Sequence, residues 1–149
     1  MDQEVIRGML TITVAGTPLG KGRPRFHRAS GRAYTPEKTR NFETNLRLAA
    51  QDVMADRPPL EGPLTVCVHA HFPVPQSWSA KKRSRALEGA ISPTTKPDWE
   101  NIAKMCDAFN QVVWKDDSQV VHGTIIKMYS DRPRLSVFVI QKGGHPHGD

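Results

Sequence analysis

The sequence lacks any run of apolar residues long enough to cross a bilayer, which takes roughly 18 to 20 of them. Its N-terminal residues also lack the apolar stretch of a secretory signal peptide. Only two cysteines are present, Cys67 and Cys106, and we expect both thiols to be reduced. These absences argue against a membrane-spanning or disulfide-stapled protein and lead us to expect a cytoplasmic one.

Phosphate-binding glycine motifs of the GxxxxGK[ST] and GxGxxG types are also missing, so no nucleotide cofactor is indicated. Acidic residues are outnumbered, with 15 Asp and Glu against 21 Lys and Arg, giving a formal net charge of +6. Nucleic acid is the commonest partner for such an excess. The length of 149 residues and the hydrophobic fraction of 38% are those of one ordinary globular domain.

Apolar periodicity predicts the elements of this domain. Alternation indicates strands over residues 10–14 and 64–72, two further strands are expected over 120–129 and 135–140, and helical spacing indicates helices over 35–56 and 100–110. A short helix is expected over 79–87, and residues 16–31 form a loop dense in Gly, Pro and Arg. Thr35 is the expected N-cap of the first long helix, with Pro36 at its first position. In the second, Trp99, Ile102, Cys106 and Phe109 form the expected buried seam.

This order predicts a single compact α+β domain, a mixed sheet of about four strands with two main helices packed on it. We expect residues 1–8 to be a flexible lead, 9–142 the domain, and 143–149 a disordered tail.

Three carboxylates are the candidate catalytic group. Asp98 and Glu100 are two residues apart, which places them on one face of an extended chain if the helix begins only after them. Asp117 precedes a strand, which could bring it to the same point. Magnesium prefers a few carboxylates plus waters, and Lys104 could stabilise charge in a transition state. The spacing therefore permits a metal site for phosphodiester hydrolysis.

The same residues also have a simpler interpretation, which the spacing leaves open. Glu100 and Lys104 have the i, i+4 spacing of a surface salt bridge on a helix. Asp98 could be a helix cap, and the Asp116-Asp117-Ser118 segment could be a turn.

Residues 21–40, here called the basic arm, are a candidate DNA-contact segment because arginines there can bind phosphates bidentately. The aromatic rings of Phe26, His27 and Tyr34 are interleaved, and a ring could stack on an unpaired base. The alternative is a solvated loop whose charge only aids solubility. The basic residues are Lys21, Arg23, Arg25, Arg28, Arg32, Lys38 and Arg40.

Two weaker candidates remain. Residues 81–85 contain a lesser basic patch, formed by Lys81, Lys82, Arg83 and Arg85. Cys67, His69 and His71 share one strand face and suggest zinc, but a polar surface opposite the apolar face is the preferred interpretation.

The strings KPDWENIAK, DAFN and WKDDSQV resemble the central signature of RusA-type crossover-junction endonucleases, approximately KPDxDNxxK, DALNG and DDxQ. The segments GTPLGKGRPRF and YTP also resemble the opening of many members, so the likeness covers most of residues 10–140.

This resemblance implies a homodimeric α+β protein that nicks four-way (Holliday) DNA junctions symmetrically in recombination and repair, with Mg²⁺, or Mn²⁺, as cofactor. Genes of this kind are often found in phages and prophages. Carried over by position, the metal-binding carboxylates fall on Asp98, Glu100 and Asp117, and the functional lysine falls on Lys104. Asp116 is a weaker candidate.

The sequence departs from this pattern at three places. Glu100 replaces the usual Asp, Gln111 replaces the usual glycine, and one residue is missing between Lys104 and Asp107. These departures put catalysis in question rather than the fold. The alternatives are a junction-binding protein with weak or no turnover, and a basic nucleic-acid-binding accessory protein.

Overall fold

The structure is a computed structural model and describes residues 8–142. The expectations for a flexible lead and a disordered tail concern residues outside this range, apart from residue 8. Among the described residues, none of the helices has the length and apolar character needed to pass through a bilayer.

A mixed four-stranded sheet forms the centre of the domain. The strands are β1 (Met9–Ala15), β4 (Leu64–Phe72), β5 (Val120–Tyr129) and β6 (Arg134–Gln141), in the order β1-β6-β4-β5. β6 is antiparallel to both of its neighbours, whereas β4 and β5 are parallel. A parallel pair requires a crossover connection, and residues 73–119 supply it. The predicted α+β class with a mixed sheet is confirmed, and the predicted strands agree to within about one residue at each end.

Three helices accompany the sheet. α1 spans Glu37–Met54, α2 spans Ala80–Leu87 and α3 spans Trp99–Lys104. A separate two-stranded ribbon, β2 (Arg25–Phe26) and β3 (Ala33–Tyr34), forms within and just after the segment predicted as a loop.

The predicted cap of α1 is wrong by one residue. Pro36 is the N-cap, with φ −52° and ψ 144°, and no side chain caps the helix. Thr35 therefore lies one position too early to reach the free N–H groups of the first turn. At α2, by contrast, the Ser79 hydroxyl accepts a hydrogen bond from the Lys82 N–H at 3.2 Å.

The helices cover only one face of the sheet, here called the inner face. Its side chains, among them Ile12, Val68 and Val137, are buried with Leu46 of α1 and with Phe109. The alternate residues of the same strands form the outer face, on which burial is less complete.

The second long helix changes its winding at Lys104. Residues Met105–Phe109 continue α3 as a 3₁₀ helix rather than an α-helix. Three 3₁₀ steps from Lys104 to Asp107 advance the chain by about 6 Å, the same as four α-helical steps. They rotate it by about 360°, against about 400° for the four α-helical steps. The tighter winding therefore places Asp107 as far along the helix axis from Lys104 as the usual spacing would, and in nearly the same direction around it.

The predicted buried seam of this helix is partly wrong. Ile102 and Phe109 are fully buried, but Trp99 is 59% exposed. Because Ile102 faces the core, Trp99, three residues earlier in the first turn, lies at the edge of the buried face.

Candidate active site

The first turn of α3 fixes Asp98 and Glu100 in different ways. Asp98 is the N-cap, and its Oδ1 accepts a hydrogen bond from the Asn101 N–H at 2.8 Å. Glu100 already lies within the helix, which begins at Trp99. The condition for both carboxylates to share one face, a helix that starts only after them, is therefore not met. Residues two apart in a helix are separated by about 200°.

Glu100 forms a salt bridge with Lys104, with 3.2 Å between Oε1 and Nζ. Their side chains are 71% and 42% exposed, so the pair contributes little to stability. This contact agrees with the simpler interpretation of the spacing. The predicted part of Lys104 in charge stabilisation stays a prediction.

Asp117 is presented by a rigid turn. Asp116 caps the 3₁₀ helix Asp117–Gln119, its carboxylate accepting from the Ser118 N–H at 3.0 Å. Hydrogen bonding to Ser118 lowers the pKa of Asp116. Gln119 accepts from the Lys115 N–H at 2.9 Å through its side-chain oxygen, and its amide donates to the Leu60 carbonyl at 2.9 Å. The Asp117 side chain therefore projects from a turn held at both ends.

Gln119 is a positioning residue that sequence reasoning did not single out, although it stands in the WKDDSQV string. The sequence feature that could have identified it is its position three residues after Asp116, which is the spacing of a capping box. The structure contains this capping box.

No group of three or more His, Cys, Asp or Glu side chains within residues 8–142 is arranged to hold a metal ion. Asp98, Glu100 and Asp117 therefore do not form such a group in this structure, in which Glu100 pairs with Lys104. The chemistry of the donor set still fits a hard cation, since all three are carboxylates and all three are exposed at the protein surface. The donors match magnesium in kind, but they are not assembled.

An apolar cavity of about 330 Å³ lies on one face of α3. Trp99 and Ala103 form one wall, and Asp117 lies at its border. The floor comes from the inner face of the sheet and the buried Trp114. Residues that line it include Val66, Val68, Cys106, Val120 and Ile125.

A second cavity, of about 420 Å³, lies on the opposite face of α3 and is here called the basic cavity. Arg23 and Arg25 of the basic arm and Lys96 line it together with Asn101. Asn101 is about 200° around the helix from both Trp99 and Ala103, which places the two cavities on opposite sides. Three cationic side chains thus line one cavity, and one of them, Lys96, lies two residues before Asp98 in sequence. Lys96 and Asn101 had not been singled out, because only the fold brings them to the arm.

Close backbone contact holds the arm against α3. The Lys21 N–H donates to the Asn101 carbonyl at 2.8 Å. A Cβ on Gly20 would lie 2.7 Å from the Pro97 Cβ and 2.8 Å from the Asn101 Cβ, so only glycine fits. The Lys127 ammonium fixes the other side, donating to the Pro97 carbonyl at 2.9 Å.

Lys21, predicted to contact DNA, is engaged within the protein. Its ammonium donates to Glu43 at 2.9 Å and lies 3.5 Å from Asp107. Burial alone would lower the pKa of Lys21, but the hydrogen bond and charge of Glu43, with Asp107, raise it above its ordinary value. Lys21 therefore ties the arm to α1 and to the 3₁₀ helix, and its charge is already neutralised there.

Of the remaining arm residues, Lys38 and Arg40 lie on α1, and the others lie at the two-stranded ribbon. Arg28 and Arg32 are exposed near its turn, outside both cavities. His27 and Tyr34 stack at 4.3 Å between ring centroids, and Phe26 is 68% exposed. The structure presents these groups to solvent, and their contact with DNA stays a prediction. The lesser patch, Lys81 to Arg85, lies on α2.

Both cysteines are free thiols, as expected. Burial, with the charges of Asp107 and Asp117, raises the pKa of Cys106 to about 12, so this thiol is not a nucleophile at neutral pH. Cys67, His69 and His71 lie on the outer face of the sheet. His71 is only 8% exposed, so the expected polar surface is wrong for this residue.

Comparison with known proteins identifies a family and a relative that this chain resembles in sequence. The model of the family described as "Endodeoxyribonuclease RusA" matches residues 15–140. An uncharacterised protein of Bacillus subtilis (strain 168), YqaN, is 37% identical over 137 residues, which cover 87% of this chain and 94% of that protein.

Proposed function

This chain belongs to the RusA family of endodeoxyribonucleases, and from that premise we propose that it is a magnesium-dependent enzyme that resolves four-way DNA junctions by paired nicks. Recombination and repair are the processes that such a reaction serves. The observation that best supports the proposal is the basic cavity next to Asp98.

Phosphodiester cleavage needs positive groups that hold the backbone and acidic groups that hold a cation. In the basic cavity, Arg23, Arg25 and Lys96 provide the first, since guanidinium groups bind phosphate oxygens bidentately. Asp98 and Asp117 provide the second, and Glu100 joins them if it leaves Lys104. A bound divalent ion supplies a Lewis acid and an activated water. Mg²⁺ is the proposed cofactor, with Mn²⁺ as a substitute.

Each protein residue then has a defined part. The Asn101 N–H orients the Asp98 carboxylate, and Gln119 holds the turn that orients Asp117. Lys104, once released by Glu100, is the cation available to charge developing on the phosphate. The arginines of the basic arm keep the substrate backbone against α3.

Two symmetric nicks call for two sites related by a two-fold axis, so we propose a homodimer. The outer face of the sheet is the candidate interface because, among residues 8–142, Arg134 is the only formally charged residue on it. Charged residues are depleted in interface cores, and a face with a single charged residue can meet its own copy with little repulsion. Its residues are Met9, Thr11, Thr13 and Ala15 on β1; Arg134, Ser136, Phe138 and Ile140 on β6; Thr65, Cys67, His69 and His71 on β4; and His122, Thr124, Ile126 and Met128 on β5.

The size of this face is sufficient for a specific contact. Four strands of about eight residues cover roughly 19 Å by 26 Å, or about 500 Å² per copy. Two copies would bury about 1,000 Å², the lower bound for a specific interface. Ile126 and Ile140, which are 43% and 40% exposed, would gain most from this burial.

A second candidate function is a junction-binding protein with weak or no turnover. It is favoured by the contacts of the carboxylates, because Asp98 caps α3 and Glu100 pairs with Lys104. In this case the basic cavity binds DNA, and the carboxylates serve the fold.

The decisive experiment incubates the protein with labelled four-way junctions and with linear duplex, with and without magnesium. Paired nicks in the junction alone, only when magnesium is present, support the resolvase. Tight junction binding without nicks in any metal supports the second candidate. Sedimentation equilibrium on the free protein tests the homodimer, and a monomer at micromolar concentration would contradict it.

A further inference from the structure

Trp99 stands between two of the proposed metal carboxylates in sequence, yet it contributes little to the core. Its side chain is 59% exposed, and it lines the opening of the apolar cavity. The other tryptophans have structural contacts. Trp114 is fully buried and donates to the Asn110 side chain at 2.7 Å, and Trp78 packs edge-on against Tyr129 at 5.3 Å. An exposed indole at this position calls for a ligand.

We propose that the apolar cavity receives one unpaired nucleobase from the branch point of the DNA, stacked on the Trp99 indole. The inference rests on the proposed function and names the part of the substrate that it recognises. The cavity volume of about 330 Å³ falls within the range of small-molecule sites, about 300 to 1,000 Å³.

The walls of the cavity select a flat apolar ligand. Val66, Val68 and Ala103 offer only hydrocarbon surface. Polar groups among the lining residues include the Cys106 thiol, the Thr124 hydroxyl and the Asp117 carboxylate. Stacking on an aromatic ring accepts any base, because every base has a π-face. A phosphate is excluded by the carboxylate and by the lack of cationic side chains among the lining residues.

The charges on the opposite face of α3 identify the occupant of the apolar cavity as part of a DNA strand. Arg23, Arg25 and Lys96 line the other side of α3, so a backbone held there passes Asp98 and Trp99. A base attached to that backbone can reach the apolar cavity only if it is not stacked in a duplex. Bases at a branch point can meet this condition at a lower cost than bases inside a duplex, since the helix is interrupted there and fewer stacking contacts have to be broken when the base is unpaired.

Photochemical crosslinking tests the proposal. The DNA junctions carry iodouracil either at the branch point or well inside one of their duplex segments. Magnesium is omitted to prevent cutting, and mass spectrometry identifies the crosslinked residue. We expect the branch-point base to crosslink to Trp99, and the base inside the duplex segment not to do so. Crosslinks at Phe26 or Tyr34 alone, or equal crosslinking of both positions, would overturn the proposal.

Affinity measurements with matched variants provide the second test. Trp99→Ala is expected to bind the junction roughly 5- to 150-fold more weakly, the range that loss of one base stack gives, while linear duplex binding is unchanged. Trp99→Phe should recover most of the affinity. Leu48→Ala, which removes an exposed apolar side chain from α1, is the control and should bind as the wild type does. Equal affinity of Trp99→Ala and wild type would contradict the proposal.

The base site and the nuclease activity can be disproved separately. If the protein cuts junctions but Trp99 neither crosslinks nor affects affinity, the base site is wrong and the nuclease stands. If the protein neither binds nor cuts junctions, the proposed function is wrong and the base site falls with it.

Discussion

The basic cavity and the apolar cavity lie on opposite faces of the same short helix, and their walls differ in kind. Arg23, Arg25 and Lys96 meet in the first, whereas aliphatic side chains and Trp99 form the second. Both are within two residues of Asp98 in sequence. The helix therefore separates a surface suited to phosphate from one suited to a base, with the carboxylates between them.

The difference predicts different responses to salt. Contacts with phosphate release counterions and weaken as salt rises, whereas stacking in an apolar cavity does not depend on counterion release. Variants in the basic cavity should thus alter the salt dependence of binding, and variants in the apolar cavity should alter affinity at every salt concentration. Variants on the two faces of α3 test this division between a phosphate-binding and a base-binding surface.

The largest expected effect is the loss of cutting in Asp117→Asn. The change removes the negative charge proposed to hold the metal while preserving side-chain shape, so cutting should fall at least about 100-fold with junction binding retained. Gel shift and cleavage are measured on one preparation.

Asp116→Asn is the matched control for this variant. Asp116 caps the same turn, and asparagine caps nearly as well as aspartate, so activity should be close to wild type. Equal loss of cutting in both variants would mean that Asp116 also holds the metal, or that the turn as a whole matters rather than the Asp117 charge alone.

Gly20→Ala should disrupt the contact between the arm and α3. Its Cβ would lie under 3.0 Å from the Cβ atoms of Pro97 and Asn101, and overpacking of this kind costs about 1 to 3 kcal/mol. Urea denaturation measures the expected fall in the free energy of unfolding. Gly22→Ala is the control, since its nearest neighbour is the Asn101 Nδ2 at 3.8 Å and the change should cost under about 0.5 kcal/mol. Equal stability of the two variants would show that the basic arm does not pack tightly against α3 at Gly20.

Local pattern predicted most of the fold and the segments that hold the candidate site. Alternation located β1 and helical spacing located α1, because these signals depend on neighbouring residues. The 3₁₀ winding after Lys104 was not predictable in the same way. It depends on burying Met105 and Phe109 against the sheet with one residue fewer, which is a requirement of the tertiary structure.

The partners of individual side chains were the least predictable. Lys21 meets Glu43 and Asp107, which are 22 and 86 residues away in sequence. Nothing in the arm itself distinguishes Lys21 from Arg23. At Gln111, by contrast, the explanation is local. Its φ of 68° is a conformation that glycine adopts most easily, which accounts for the usual glycine at this position. The Gln111 side-chain amide donates to the Lys115 carbonyl at 2.7 Å.

Replacing Arg23 and Arg25 together with Ala should flatten the salt dependence of junction binding. Each lost phosphate contact reduces the log–log slope by roughly 0.9, so the pair should lower it by about 1.8. Stability should change little, because neither residue belongs to the buried core. Arg28→Ala with Arg32→Ala, outside the cavity, is the comparison. An equal fall in both double variants would mean that the whole arm grips DNA and that the cavity has no special part.

The smallest effect concerns Lys21, which separates a structural lysine from a DNA-binding one. Lys21→Met should leave the salt slope unchanged, because the ammonium already pairs with Glu43 and Asp107. It should instead lower the free energy of unfolding at neutral pH by about 0.5 to 1 kcal/mol, since the pair retains some contact with solvent. The raised pKa of Lys21 means that this contribution is complete below its ordinary value of 10.5 and is lost as pH rises through the higher folded-state pKa. Urea denaturation at neutral pH and above pH 10.5 should therefore find the two proteins converging in alkali. A flattened salt slope with unchanged stability would return Lys21 to the DNA-binding surface and make the whole arm one continuous grip.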